Sequence, residues 1–366
     1  MIAIIGAGPA GAQAAYDLAK AGEQVHIFED HHCVGEPVAC TGLVTKTIHE
    51  LLTKDEIESV LVNTLKGVDV IAPSGMSMRV PLHEYVLDRA ALDRMLIKKA
   101  VDAGAQLHIN HRFVGREGMR IALRHKGEPL THRADVIIGA DGPLSEVAKA
   151  TGIFGKRKFY VGLQATLKGT YNKDIFTTWF GGIAPDFFAW SVPETPTLSR
   201  VGLATMENTR HYFEAFLHKA GGTVVAKQAG PIPCYDPALR ASDPSQNTYL
   251  VGDAGGLAKA TTGGGIITGM LSGSLLAECL LDDTNYENAL APLRRELWIH
   301  MVLRRALNRF SDQDYERLVA VMGKDAVRAI LMDHPREYPS KFLFKLLRAE
   351  PSLLRFAPKG IVAIAR

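Results

Sequence analysis

Three glycines and one acid near the start of the chain are spaced to hold a phosphate. Gly6, Gly8 and Gly11 lie in Gly6-Ala7-Gly8-Pro9-Ala10-Gly11, directly after the apolar run Met1-Ile2-Ala3-Ile4-Ile5. Gly6 permits a tight turn out of a strand. Gly8 lets a phosphate reach the backbone because no side chain intervenes. Gly11 lets the next helix pack close to the sheet. Pro9 and Ala10 open that helix, where a proline loses no hydrogen bond. The helix N-terminus offers unpaired N–H groups and a partial positive charge, which suits a pyrophosphate. Glu29 follows Gly11 by 18 residues, at the end of the apolar run Val25-His26-Ile27-Phe28. An acid there accepts from the hydroxyls of a ribose.

The elements that must position these residues read as strand, turn, helix, strand, with Gly22 as the helix stop. This is the start of an α/β dinucleotide-binding domain. The chain has 366 residues, 47% hydrophobic and 22% charged, the balance of a globular protein with more than one lobe. Its net charge of +3 gives no argument for nucleic acid. No apolar run reaches the length of a membrane span. The first strand begins at the second residue, so no signal peptide is expected. Cys33, Cys40, Cys234 and Cys279 lack metal-ligand spacing. No metal site is expected, and a reduced, cytoplasmic setting fits.

Beyond Asp30, a loop runs to Thr45 and contains Gly35-Glu36-Pro37-Val38-Ala39-Cys40-Thr41-Gly42. Thr45 to Leu61 reads as helical. Val68 to Val80 reads as a hairpin turning at Pro73-Ser74-Gly75-Met76. Val86 opens a periodic helix that ends at Gly104, with Asp88 as its N-cap. Strands are expected at Gln106 to Ile109, Gly118 to His125 and Ala134 to Ile138, the last leading to Asp141-Gly142. Alternating strands at Val161 to Leu167, Ile175 to Phe180, Phe187 to Val192 and Arg200 to Ala204 form a second, sheet-based lobe. Thr248 to Val251 leads to Gly252-Asp253, and a long helix is expected from Gly263 to Leu281. From Tyr286 onward everything reads as helix. Between Arg294 and Arg366 there are 15 Lys/Arg and 8 Asp/Glu. The plain reading of this region is a helical cap. The alternative is a basic surface that leans on anionic lipid.

Glycine-acid turns thus stand at three strand ends, and open α/β sheets bind ligands at that edge. The arrangement resembles the glutathione-reductase-type FAD fold, in the p-hydroxybenzoate-hydroxylase-like branch shared with aromatic hydroxylases, flavin halogenases and geranylgeranyl reductases. The resemblance implies FAD as cofactor, a second antiparallel-sheet substrate lobe and a helical C-terminal region. It implies that the first turn holds the pyrophosphate, Glu29 the adenosine ribose and Asp253 the ribityl chain. The helix after Gly263-Gly264-Gly265-Ile266 would aim its N-terminus at the flavin, favouring negative charge there. Arg89 matches the arginine of the branch's "DRxxxD" helix start beside the cofactor, and is also spaced to pair with Asp93. Asp141, Gly142, Thr41, Gly42 and Phe113 complete the residues expected near FAD. The expected division is 1–65, 86–155 and 245–285 for the FAD domain, 66–85 and 156–244 for the sheet domain, and 286–366 for the helices.

Within the branch, the geranylgeranyl reductase pattern fits best. Gly35-Glu36-Pro37-Val38-Ala39-Cys40-Thr41-Gly42 resembles "GxPxxCxxG", Phe188, Trp190 and Pro193 resemble "YxWxFPK", and Asp253 with Thr262 to Ile266 resembles "GDAAxxxxPxTGGGI". Departures are Glu194 for lysine, Phe188 for tyrosine and Ala260 for proline. The aromatic-hydroxylase histidine is missing, and the halogenase "WxWxIP" is matched only in part. The resemblance implies reduction of isolated C=C bonds in a prenyl chain by hydride from reduced flavin. An unactivated alkene needs a dry, aligned site, and Phe180, Phe187, Phe188 and Trp190 are candidates for its tunnel. Cys40 would lie over the flavin as proton donor or relay, and Trp190 is its companion catalytic candidate. A prenyl lipid is the expected substrate, with a ferredoxin or a nicotinamide nucleotide as electron donor and the membrane's inner face as a further contact. Alternatives are a monooxygenase or halogenase of the same branch, and a flavin electron carrier without prenyl substrate.

Overall fold

The computed structural model describes residues 1–364. Its chain divides into two units: Met1–Val38, Arg89–Lys158 and Pro233–Trp298 form one, and Ala39–Asp88, Phe159–Ile232 and the chain from Ile299 form the other.

The first unit is built on apolar runs long enough for buried parallel strands. Its sheet has the order Ser242–Asp243, Thr248–Leu250, Val136–Gly139, Ile2–Ile5, Val25–Phe28, Gln106–His108. All pairs are parallel except the one at the Ser242–Asp243 edge. Helix Pro9–Lys20 buries Gly11, Ala14, Ala15 and Leu18 and packs against helices Arg89–Asp102 and Ile266–Leu281. Small residues make the second contact possible: a Cβ at Gly273 would lie 3.1 Å from the Ala14 nitrogen.

Two helix starts differ from expectation. Val86 and Leu87 complete the strand Ser77–Leu87, and the helix begins at Arg89. The long helix begins at Ile266 with Gly265 as its N-cap, because Gly263 to Gly265 are irregular backbone after a turn at Ala260 to Thr262. A three-stranded sheet of His111–Glu117, Arg120–His125 and Glu128–Arg133 was expected only in its middle strand.

The second unit carries an eight-stranded sheet ordered Thr223–Pro233, Phe159–Lys168, Leu198–Thr205, Ala189–Pro193, Ile175–Trp179, Leu61–Ile71, Ser77–Leu87, Leu43–Thr45. The hairpin turns where Pro73 to Met76 predict, with Gly75 at φ +93°. Its strands are longer than the spacing alone suggests. The stretch Thr45 to Leu61 is only partly helical, with a short 3-10 segment at Lys46–Glu50 and a helix at Lys54–Ser59. Strand Ile175–Trp179 pairs in parallel with Leu61–Ile71.

Buried polar contacts fix the later helices of this unit to its sheet. Glu337 accepts from Thr45 Oγ1 (2.5 Å) and Thr47 Oγ1 (3.2 Å), and Arg336 pairs with Glu84. Glu337 and Glu84 are 4% and 3% exposed, so losing either partner would strand a buried charge. These contacts support the reading of the C-terminal region as a helical cap.

Candidate functional site

The candidate residues fall in both units, and each group is described within its own. In the first unit the glycine turn is sterically obligatory. Gly6 sits at φ +104°, and a Cβ there would strike the backbone of Ala140. A Cβ on Gly11 would strike Gly6 O and come within 2.9 Å of Ala140 Cβ. Gly8 is different: a Cβ there meets nothing within 4 Å. Open space at the N-cap of helix Pro9–Lys20, with no side chain capping it and no acid in the first turn, is what an incoming phosphate needs.

Glu29 reaches back to this turn. Ala7 N–H donates to its Oε2 (2.8 Å), and His31 N–H donates to its Oε1 (3.1 Å). His31 Nδ1 lies 2.5 Å from the same Oε1. The acid therefore shapes the turn as well as standing at the strand end. Ligand atoms of Glu29, Asp30 and His31 lie within 4.8 Å of one another. Both Glu29 oxygens are already engaged, so the group reads as a hydrogen-bonded turn.

Asp253 lies in the 3-10 turn Gly252–Gly255. Burial pushes its carboxyl up to about 6, against the pull of the Arg89 and Arg157 guanidiniums. Its carboxylate accepts no hydrogen bond among the described residues. A Cβ on Gly265 would sit 2.5 Å from Asp253 Oδ1, so the backbone at Gly265 packs directly against this acid. Arg89 also pairs with Asp93 (Nη2–Oδ2 3.0 Å), the i,i+4 partner its spacing offers.

Asp141 is placed otherwise than expected. Its Oδ1 accepts from Ser145 Oγ (2.6 Å) and its Oδ2 from Val147 N–H (3.0 Å), so it caps helix Glu146–Ala150. Gly142, at φ +77°, remains open to solvent-side approach. Phe113 is 4% exposed in an apolar core with Phe28, Ile121 and Ile137, a packing role.

Two cations escaped the sequence reading. Arg157 donates from Nε to Phe154 O (2.7 Å) and approaches Asp253 O through Nη1 (3.5 Å). Its Nη2 is buried with no hydrogen-bond partner among the described residues. Lys259 is 6% exposed, and a Cβ on Gly264 would lie 3.3 Å from its Nζ. The only signal was a basic residue inside Gly155-Lys156-Arg157-Lys158 and inside the apolar Ala258-Lys259-Ala260. The open Gly8, the unpaired Asp253 carboxylate and the orphaned Arg157 Nη2 fit a flavin dinucleotide, whose ribityl hydroxyls donate and whose pyrophosphate is anionic.

In the second unit, Cys40 sits in a fixed turn. Gly42 N–H points to Cys40 Sγ (3.4 Å), and Leu87 N–H donates to Gly42 O (2.9 Å). Gly42 is at φ +73°, and a Cβ there would strike Leu87 O. Arg200 Nη1 donates to Cys40 O while its Nε holds Glu194 Oε1 (2.6 Å). Trp190 is fixed at its polar end: Nε1–H donates to Gln164 Oε1 (3.1 Å), and Gln164 Nε2 donates to Gln228 Oε1 (2.6 Å). Its ring lies against Gly202, where a Cβ would come within 2.7 Å.

Phe188 stacks on Phe187 (4.5 Å) and meets Trp190 edge-on (5.8 Å). Phe187 is 2% exposed beneath the Arg304 guanidinium, so it belongs to the core and not to a tunnel wall. Phe180, Phe188 and Trp190 keep partly exposed surfaces. A cleft of about 520 Å³ is lined by Trp179, Phe180, Ile183, Tyr212, Phe216 and Lys219, among others.

Comparison with known proteins agrees with this geometry. Residues 1–171 match the FAD binding domain model. A digeranylgeranylglycerophospholipid reductase of Methanocaldococcus jannaschii is 28% identical, over 97% of this chain and 96% of its own. A reductase of the same name from Methanothrix thermoacetophila is 29% identical, over 96% and 97%. A geranylgeranyl bacteriochlorophyll reductase-like protein from Thermoplasma acidophilum superposes with a TM-score of 0.84 at 22% identity, covering 98% of both chains. A flavin-dependent brominase superposes at 0.69 with 16% identity, covering 96% of this chain and 99% of its own.

Fold and turn chemistry together define an FAD-dependent oxidoreductase with the glutathione-reductase-type, p-hydroxybenzoate-hydroxylase-like fold. Over nearly its whole length, the chain is similar to digeranylgeranylglycerophospholipid reductases, at 28% and 29% identity.

Proposed function

We propose that the protein reduces isolated C=C bonds in the prenyl chains of an isoprenoid or archaeal-type membrane lipid. The observation that carries the reading is the full-length likeness to reductases of such lipids. The likeness to the brominase, at 16% identity, speaks for the fold alone.

Reduced FAD supplies a hydride from N5 when bound. The glycine turn and the first helix N-terminus hold the pyrophosphate, with Arg157 and Lys259 adding positive charge in the same unit. Asp253 accepts from the ribityl hydroxyls and Glu29 from the adenosine ribose. Aromatic surfaces of Phe180, Phe188 and Trp190 exclude water from the alkene. The second alkene carbon needs a proton, and Cys40 Sγ is the donor or relay we favour. Hydride and proton together saturate one double bond, and an external donor re-reduces the flavin. That donor is a ferredoxin or a nicotinamide nucleotide.

The test is anaerobic incubation of dithionite-reduced protein with a digeranylgeranyl lipid. Each turnover should add two mass units to the lipid and return the yellow oxidised flavin. Flavin that stays reduced with this lipid would remove the substrate assignment and leave the electron-carrier reading.

A further inference from the structure

The last helices carry exposed apolar and basic side chains to which none of the roles above is assigned. Phe344 is 75% exposed, and Leu354 is 55% exposed on the next segment. Both are far beyond what an isolated surface side chain needs for packing. Phe344 belongs to helix Leu343–Ala349, whose Leu346 is buried. Phe344, Lys345 and Arg348 of this helix are exposed, Phe344 and Arg348 four residues apart, and so is Lys341 in the 3-10 segment Pro339–Lys341 just before it. Arg355 is exposed beside Leu354.

The charges are of one sign. Between Tyr338 and Lys359 the only acid is Glu350, which is 8% exposed and paired with Lys324 (2.5 Å). Lys359 pairs with Asp314. Lys341 lies over the Tyr338 ring (4.1 Å), and Lys345 meets His334 Nε2 (2.8 Å). None of Lys341, Lys345, Arg348 and Arg355 pairs with a carboxylate among the described residues. No helix among the described residues is long and apolar enough to cross a membrane.

An exposed aromatic on a segment whose exposed cations are unneutralised fits a surface with an apolar interior and an anionic face. We propose that Phe344 and Leu354 enter the outer layer of an anionic lipid membrane while Lys341, Lys345, Arg348 and Arg355 contact its head groups. The proposal rests on the lipid-reductase reading for its purpose, since a prenyl lipid substrate resides in such a membrane.

Flotation with vesicles that contain no prenyl chain separates the two readings. The holoprotein should float with phosphatidylcholine–phosphatidylglycerol vesicles and not with phosphatidylcholine alone. Binding should weaken as salt is raised. Each cation near such a surface is worth roughly a fivefold change in partition. The double variant Lys345→Glu/Arg348→Glu should therefore lose at least about tenfold in binding. Phe344→Glu should lose binding while keeping the wild-type melting curve and bound flavin. Equal flotation with neutral and anionic vesicles, or salt-independent binding, overturns the proposal with no variant needed. Variants that float like the wild type overturn it as well. Failure to reduce a short, detergent-soluble prenyl substrate would instead strike the function and leave this surface standing.

Discussion

Arg200 ties Glu194 to the Cys40 turn. Its Nε is 2.6 Å from Glu194 Oε1 and its Nη1 donates to the Cys40 carbonyl, with both side chains largely buried at 12% and 14% exposure. Glu194 is the residue that departs from the lysine of the resembling family. The acid is thus matched by a cation in the same unit, and the pair braces the loop that carries the thiol.

The first prediction follows from that brace. Arg200→Met should cost about 1.5–3 kcal/mol of stability, the range for hydrogen bonds to charged groups. It should slow single-turnover reoxidation of the reduced flavin by lipid, because the turn that carries Cys40 loses its brace. Arg200→Met/Glu194→Met should recover part of the stability, since no lone charge remains. Chemical denaturation and stopped-flow absorbance read the two quantities. A variant with wild-type rate would show that the Cys40 turn holds its shape without Arg200.

Glu29 gives the second prediction. The purified protein should be yellow, and acid or heat should release FAD, not FMN. Glu29→Ala removes the acceptor of Ala7 N–H as well as the ribose acceptor. FAD affinity should fall by at least roughly ten- to a hundredfold, the range for losing hydrogen bonds to a charge. Glu29→Gln keeps an oxygen for Ala7 and should fall less. Unchanged affinity in both variants, measured by titration of the apoprotein, would show that Glu29 faces away from the cofactor, and equal losses would show that the charge carries the whole effect.

Cys40→Ser tests proton delivery. General-acid assistance is typically worth 10²–10⁴-fold. The variant should bind FAD and lipid normally, yet reoxidise at least on the order of a hundredfold more slowly in a single anaerobic turnover. A rate within about threefold of wild type, well short of that range, would make the thiol structural.

Acid sensitivity follows from a histidine cluster around Phe28. His26 and His108 stack 5.2 Å apart, with His26 Nδ1 3.0 Å from His108 Nε2, and His111 and His132 flank Phe28. Burial first, then the neighbouring histidines, pushes His108 down to about 4, and burial also lowers His26 and His132. In the unfolded chain these groups bind protons near their ordinary 6.5. Unfolding then takes up protons, so stability is complete above about 6.5 and falls as pH drops toward 4. Thermal melts between pH 7 and 4.5 should show the loss, and His108→Phe should flatten it. An unchanged pH slope in His108→Phe would place the sensitivity elsewhere.

What could be read in advance was local. The turn at Gly6 to Gly11 depends on near neighbours and on positive φ, both visible in residue type. The Gly263 to Gly265 stretch reads as helix because it precedes one, but glycine is costly inside a helix and these residues stay irregular. Strands His111–Glu117 and Glu128–Arg133 are polar and half-exposed, so neither apolar run nor alternation announces them. Asp141 could be placed at a strand end but not oriented, since its cap partner at Val147 lies in the next helix. Arg200 and Cys40 are 160 positions apart, and a contact at that separation leaves no periodic trace in the chain. The same holds for Arg157 and Lys259, whose neighbours are set by packing alone.

The interrupted course of both units bears on how the protein is made. The central sheet of the first unit needs strands from residues near 2, 25, 106, 136 and 248. A ribosome emits the first of these long before the last, and loop closure over such separations is slow. The early strands, apolar along both faces, must wait without their full complement of neighbours. Newly made chains are therefore most exposed to self-association in the interval before residue 250 emerges. Truncation after the Val136–Gly139 strand should leave an aggregating fragment, while a chain carried through Leu281 gains the helix that covers Ala10 and Ala14.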